Sequence, residues 1–341
     1  MARAMNLAPA FIAADIGGTH SRIGLVRAGT GRSVELLHSE HYRGREWPGL
    51  PEILADFIGR FAAHGGQPVR HAALACAGYL NDDAVINDNL PWPLPLAPLR
   101  ERLGLQRVEV INDFEAAAHA VAALEPAALR SVIEPPRPAS PGGPIVVMGP
   151  GTGLGCAFVL PGTDRDPRRR VLPTEAGHAG LAVATMREAA VMREVARDAD
   201  FAEAEHALCG PGLLRLYRAI ARLDAAEAPL QSPAEVTRAA IAGHDAVAVE
   251  ALDMFCALLG GVAADLATVA RASGGVVLAG GIAAQIDGFL KRSRFAERFL
   301  RRGVMRPFLE QVPVRLVDHG DFGVIGAARW SLAWGAASDF A

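Results

Sequence analysis

The chain writes one local device twice. Residues 11–15 are an apolar run, Ile16-Gly17-Gly18-Thr19-His20 is a glycine turn, and residues 22–26 resume an extended pattern. Residues 145–148, the turn Gly149-Pro150-Gly151-Thr152-Gly153-Leu154-Gly155 and residues 156–160 repeat that order. Each unit predicts a β-hairpin with a tight glycine tip. Neither tip spells G-x-G-x-x-G, and both open a strand rather than a helix, which argues against sequential dinucleotide-binding wrapping. Two such units, each followed by further α/β structure, predict a duplicated architecture with a cleft between halves. The length of 341 residues agrees, because one compact core normally takes fewer.

The remaining pattern fills in around the hairpins. Residues 48–64 carry apolar side chains at helical spacing: Leu50, Ile53, Leu54, Phe57, Ile58 and Phe61. Residues 69–76 and 108–113 read as strands, and a helix follows from 114 to 124. Residues 135–144 are rich in Pro, Ser and Gly and read as a loop, and 164–170 as a polar loop. Residues 184–242 are mostly helical in composition, and 249–271 form a long apolar helix. Residues 275–278 read as a strand running into Gly280-Gly281-Ile282, which opens a helix. A last strand at 314–317 and a last helix at 324–334 complete the chain.

Composition excludes several classes. Apolar residues make up 51% of the chain, enough for large cores. No uninterrupted apolar run of about eighteen residues occurs, so no membrane span is predicted. A formal charge of −3 gives no general attraction to nucleic acid or anionic lipid. The first ten residues hold Arg3 and then apolar residues, but this short run leads straight into a strand and does not read as a signal peptide. Cys76, Cys156, Cys209 and Cys256 lie far apart with no C-x-x-C pair, which fits buried thiols in a reducing, cytoplasmic setting. Lys291 is the only lysine and follows no glycine-rich loop. A Walker-type site, a protein-kinase site and Schiff-base chemistry all need a placed lysine. Phosphate handling here must therefore use backbone N–H groups, hydroxyls, arginine and metal.

Three motifs suit that chemistry. In Asp15-Ile16-Gly17-Gly18-Thr19-His20-Ser21-Arg22, bare backbone N–H groups and a hydroxyl can approach an anion, and Asp15 can hold Mg²⁺ through water. The bland alternative is an ordinary hairpin turn, with His20 as a turn residue. Gly151-Thr152-Gly153 repeats the device. In Val277-Leu278-Ala279-Gly280-Gly281-Ile282 the glycine surface can lie against adenine or ribose.

Together, in this order, the motifs resemble the bacterial glucokinase family, within the actin-like, sugar-kinase and heat-shock-chaperone ATPase superfamily. The resemblance runs from about residue 11 to about residue 330. It implies an α/β, two-lobed actin-like ATPase (ribonuclease H-like) fold, each lobe a mixed sheet with helices. Residues 1–112 plus 322–341 would form the small lobe and 113–321 the large one. It implies ATP and Mg²⁺ as cofactors, glucose as acceptor, a homodimer, and no nucleic-acid or membrane partner. Gly17, Gly18 and Thr19 match the first phosphate motif, Gly151, Thr152 and Gly153 the second, and Gly280 and Gly281 the adenosine motif. Asn112-Asp113 matches an Asn-Asp pair whose Asp is the catalytic base. Glu175-Ala176-Gly177-His178 matches a sugar-gripping Glu-x-Gly-His, Glu205 another sugar-binding Glu, and Asn89-Leu90-Pro91-Trp92 an Asn-x-x-Trp in the sugar-side lobe. Ala75-Cys76-Ala77-Gly78 lacks a proline usual there, and 79–83 departs from the common form. The cysteine-rich zinc loop and the N-terminal helix-turn-helix of the related repressor–kinase family are missing.

The expected mechanism is sugar phosphorylation. Asp113, at a helix start that favours negative charge, would accept the proton of the attacking hydroxyl as the γ-phosphoryl group transfers. Asn112 would orient the sugar. Closure of two lobes would exclude water. Asp113 could instead cap its helix, Glu175 and His178 could be half a metal site, and Glu205 could be a solvated helix residue. Kinases for other hexoses or amino sugars, a sugar-responsive ATPase or regulator, and a polyphosphate-dependent kinase are the alternatives.

Overall fold

A computed structural model of the chain describes residues 8–17, 20–29, 33–65, 68–77, 79–81, 84–86, 94–136, 142–317 and 320–334. The chain forms two compact units, residues 1–123 with 320–341, and residues 124–319.

In the first unit, β1 (Phe11–Ile16) and β2 (His20–Ala28) form the expected antiparallel hairpin, and β3 (Val34–Arg43) pairs with β2. Helix α1 (Leu50–Phe61) returns the chain to β4 (His71–Cys76), parallel to β1. Three short strands, β5 (Tyr79–Asn81), β6 (Ala84–Ile86) and β7 (Leu94–Pro95), form a small separate sheet. Helix α2 (Leu96–Leu103) leads to β8 (Arg107–Asn112), parallel to β4, and α3 (Asp113–Val121) follows without a break. The main sheet has the order β3-β2-β1-β4-β8. Period-two alternation splits β1 between two cores. Ile12, Ala14 and Ile16 pack with Leu50, Ile53 and Phe57 of α1, and Phe11 and Ala13 face the opposite layer.

In the second unit, β9 (Arg130–Ile133) precedes the second hairpin, β10 (Ile145–Pro150) with β11 (Leu154–Leu160), and β12 (Arg170–Thr174) extends it. The helices are α4 (Met186–Val195), α5 (Ala204–Ala207), α6 (Gly210–Leu223), α7 (Pro233–Ala242) and α8 (Ala246–Val269). Strand β13 (Gly275–Leu278) lies parallel to β10. Helices α9 (Gly281–Gln285), α10 (Asp287–Leu290), α11 (Phe295–Leu300) and α12 (Arg306–Leu309) lead to β14 (Val314–Leu316), parallel to β13. The sheet order is β12-β11-β10-β13-β14-β9. Apart from the added edge strand β9, the topology repeats that of the first unit, so the duplication read from two glycine tips extends to whole sheets.

Helix α8 is long and apolar enough to cross a membrane by length and composition. The sequence shows no uninterrupted run of that length because Glu250, Asp253 and Asp265 break it. Of its most apolar window, 67% is buried inside the unit, so the helix serves as the core of this half. The buried Glu188–Arg298 pair, 2.9 Å apart, ties α4 to α11.

The chain then returns to the first unit as α13 (Phe322–Trp334), which packs on α3, β1, β2 and β4. Gly326 lets the two helices touch, since a Cβ there would overlap the Ala116 carbonyl. This contact places α3 in the first unit, so the division falls after 123 rather than after 112. Toward the other end of α13, Ser331 donates to Glu109 on β8, and His71 on β4 lies 2.8 Å from the same carboxylate. Arg107 pairs with the other oxygen of Glu109.

Candidate active site

In the first unit the expected residues gather at the carboxyl ends of parallel strands, where open α/β sheets bind ligands. Ile16, Cys76 and Asn112 are in register across β1, β4 and β8, with Asp15 one step back. Burial, and then the charges of Asp15 and Asp113, push the Cys76 thiol up, so this central thiol senses both carboxylates. Burial pushes the Asp15 carboxyl up as well, with Arg22 opposing. Arg22 is Asp15's partner across the hairpin. It also donates to the Gly320 carbonyl and lies 3.5 Å from Asp321, just before α13. The first turn of α13 approaches Asp15 so closely that a Cβ on Gly323 would overlap its carboxyl carbon.

The glycine turn closes with a 3.1 Å bond from Gly17 N to His20 O. Gly18 and Thr19, the heart of the first phosphate motif, lie outside the described residues, as does Asn89. His20 begins β2 as an exposed residue.

The cap of α3 is Asn112, whose Oδ1 accepts from Phe114 N at 2.9 Å and Glu115 N at 3.1 Å. The capping alternative raised for Asp113 therefore belongs mainly to its neighbour. Asp113 is the first residue of the helix, with Oδ1 2.9 Å from Phe114 N. Asn112 has its oxygen committed to the helix, which leaves its N–H donors for a ligand.

In the second unit the motifs converge on the glycine turn. Gly151 N bonds Gly153 O at 2.8 Å, and Gly151 O accepts from Gly210 N at 2.8 Å, joining the turn to the start of α6. Cys209 caps that helix through its sulfur, which accepts from Gly212 N. Thr152 is exposed at the tip. Gly280 has φ +98, a conformation that favours glycine, and a Cβ there would sit 2.9 Å from the Pro150 carbonyl. Gly281 faces open space. Gly280 thus lies against the strand end that feeds the second glycine turn.

Glu205 and the Glu175–His178 turn, expected from sequence to bind sugar, meet at Leu154, the first residue of β11. Glu205 Oε2 accepts from Leu154 N at 2.7 Å, and a Cβ on Gly177 would overlap the Leu154 carbonyl. Glu175 and His178 are exposed beside this point, in a short helical turn closed by a 3.0 Å bond from His178 N to Glu175 O. His178 Nδ1 lies 2.8 Å from Glu203 Oε2. The Glu203 hydrogen bond holds the imidazole above its ordinary value; partial burial opposes this, and the charges of Glu205, Glu203 and Glu175 add to it. Among the described residues no group of three or more His, Cys, Asp or Glu is arranged to hold a metal ion.

Sequence reasoning missed Glu203, Gly323 and the anchoring role of Arg22. The only local signal for Glu203 is its Glu-x-Glu spacing with Glu205. Gly323 had none, because its role exists only once α13 returns to β1.

Chemically, the arrangement offers a carboxylate at a helix start, a second carboxylate beside a glycine turn, and a cluster of acceptors against another glycine turn. The family profile described as Glucokinase matches residues 12–333. A glucokinase-like protein of Xylella fastidiosa strain Temecula1 is 42% identical over 327 residues, 95% of each chain. A glucokinase of Saccharophagus degradans is 34% identical over 321 residues, 94% of this chain and 97% of that one. The crystal structure of a glucokinase from an Antarctic psychrotroph superposes with a TM-score of 0.79 at 32% identity, covering 94% of this chain and 98% of that one.

Proposed function

The chain belongs to the glucokinase family, and from that premise we propose that it transfers the γ-phosphoryl group of ATP to the 6-hydroxyl of glucose. The observation that carries the reading is the meeting of Glu205 and the Glu175–His178 turn on Leu154, one residue beyond a glycine turn suited to phosphate. A nucleotide switch has no use for such a cluster of hydroxyl acceptors.

In this reading Asp113 is the general base, taking the proton of the attacking hydroxyl. Its neighbour Asn112 turns amide donors toward the sugar. Glu175, His178, Glu205 and Asn89 bind sugar hydroxyls. Gly17, Gly18 and Thr19 and then Gly151, Thr152 and Gly153 present donors to the phosphates, where preorganised N–H groups stabilise developing charge. Gly280 and Gly281 receive the adenosine.

Mg²⁺ suits Asp15. One enclosed carboxylate is enough for an ion that keeps most of its water, and a cation would offset the burial that disfavours the Asp15 anion. When bound, the ion would neutralise phosphate charge. The reading also carries a homodimer, which light scattering checks, and a cytoplasmic place, which four buried free thiols suit.

The test is purified protein with Mg-ATP and a panel of glucose, mannose, fructose and amino sugars, following ADP and sugar phosphate together. Equal release of both with glucose is expected. ADP release without sugar phosphate on any member of the panel would overturn the reading.

A further inference from the structure

The pairing of His178 with Glu203 is built rather than incidental. Residues 202–204 run antiparallel to residues 179–181, with Leu181 N bonded to Ala202 O at 2.8 Å and Ala204 N to Ala179 O at 2.9 Å. The backbone N–H of Glu203 is itself engaged, donating to His206 Nδ1 at 3.2 Å. This small bridge pairs Glu203 with Gly180, two residues beyond His178, and so brings the two side chains within reach, with 2.8 Å between His178 Nδ1 and Glu203 Oε2. The Glu203 side chain is about one-quarter exposed, against 56% for His178, so the carboxylate stands behind the ring and the ring faces outward.

We propose that Glu203 is the positioning residue for His178, fixing the tautomer and angle with which the imidazole meets the sugar. This rests on the sugar-binding role of His178 proposed above. A carboxylate accepting from Nδ1–H leaves the Nε2 lone pair outward in the neutral ring. Nε2 then accepts from a sugar hydroxyl, as Glu175 and the remaining oxygen of Glu205 do. The pocket thereby presents acceptors to a run of neighbouring hydroxyls, and a deoxy sugar at the His178 position would lose its contact.

Protonation reverses the sense of Nε2 from acceptor to donor. The charged groups facing the ring are Glu203, Glu205 and Glu175, all of which favour the imidazolium. Sugar affinity therefore falls on the acid side, and Glu203 moves that fall to higher pH than an unpaired histidine would show.

The experiment compares Glu203→Ala, Glu203→Gln, His178→Ala and the double variant Glu203→Ala with His178→Ala, measuring sugar KM, kcat and their pH dependence. Glu203→Ala is expected to raise sugar KM about tenfold, with a smaller change in kcat. Glu203→Gln keeps an acceptor for Nδ1–H and is expected to recover most of that loss, while its acid limb moves to lower pH. The double variant should be no worse than His178→Ala. An unchanged sugar KM in Glu203→Ala, or a Glu203→Ala effect that persists undiminished without His178, overturns the proposal. Nitrogen NMR of the His178 ring gives a readout independent of substrate: a titration midpoint unmoved by Glu203→Gln overturns the pairing itself. A His178→Ala enzyme with unchanged sugar KM, alongside a ring midpoint that does move, would instead overturn the sugar role of His178, and with it the proposal.

Discussion

Glu205 and Leu154, far apart in sequence, are joined by a 2.7 Å hydrogen bond from the backbone N–H of Leu154 to Oε2 of the glutamate. The bond ties a proposed sugar ligand to the strand that leaves the proposed phosphate turn. Glu205→Ala removes a proposed sugar acceptor and also leaves the Leu154 N–H, just after the turn, unpaired, which costs about 1–3 kcal/mol when buried. The expected outcome is a rise in KM for both sugar and ATP. Glu205→Gln retains a carbonyl to accept from Leu154 and should spare ATP while still weakening sugar. Steady-state kinetics with each substrate varied separately distinguishes the two variants.

Asp113→Asn tests the proposed base. The substitution keeps the shape of the first residue of α3 and leaves the Asn112 cap untouched. A fall in kcat of about 10² or more is expected, with sugar KM changing far less, as for loss of a general base. Turnover near the parent value would remove Asp113 from the reaction.

Gly323→Ala and Gly326→Ala sit one helical turn apart on α13 and should fail differently. The first drives a methyl into the Asp15 side chain, its Cβ included, so the carboxylate is displaced and activity should be lost even where the fold survives. The second drives a methyl into the Ala116 carbonyl, a backbone atom that cannot swing aside. Overpacking of this kind costs about 1–3 kcal/mol and sometimes more, and the loss should appear as a lower Tm. Thermal melts and kcat measured on both variants give the contrast. Equal melts with equal activities would contradict it.

The Glu109 cluster predicts a specific acid limb. Burial alone would push this carboxyl up, but hydrogen bonds from His71 and Ser331, with the charges of His71 and Arg107, outweigh it and hold the group below its ordinary value. A carboxyl lowered in the folded state stabilises the fold above its unfolded pKa and loses that contribution as pH falls through the folded one. Melting curves below about pH 4.5 should therefore steepen in the parent and flatten in Glu109→Gln. Parallel pH profiles for the two proteins would show that the cluster contributes nothing.

The sequence made the central strands, the edge strand β8 and the long helix legible and the other main-sheet edges illegible. The hairpins β1–β2 and β10–β11, the strand β13 and the helix α8 carry continuous apolar runs because both of their faces are buried. The strands with no clear signature, β3, β9 and β12, each lie at a sheet edge. There polar residues such as Glu40 and His41, or Pro173 in β12, are tolerated and blur the alternation. The site divides the same way. Glu175, His178 and Glu205 could be named because their short motifs recur in a known family. Glu203 and Gly323 act through contacts that local spacing does not encode. The commitment of Asn112 Oδ1 to the cap was not separable, from sequence alone, from a capping role for Asp113.

The late return of α13 to the first unit bears on how the protein is made. Residues 124–319 are contiguous and can consolidate as they leave the ribosome. One face of the sheet bearing Asp15 lacks most of its cover until the segment containing Gly323 and Gly326 has been synthesised. Its nascent chain must wait, exposed, for nearly the whole of translation. Chains ending shortly after residue 319 and released from the ribosome should show a protease-resistant middle segment and a digestible N-terminal one. Damage to the final helix should accordingly be felt first at the opposite end of the message, in the part of the enzyme that was translated earliest.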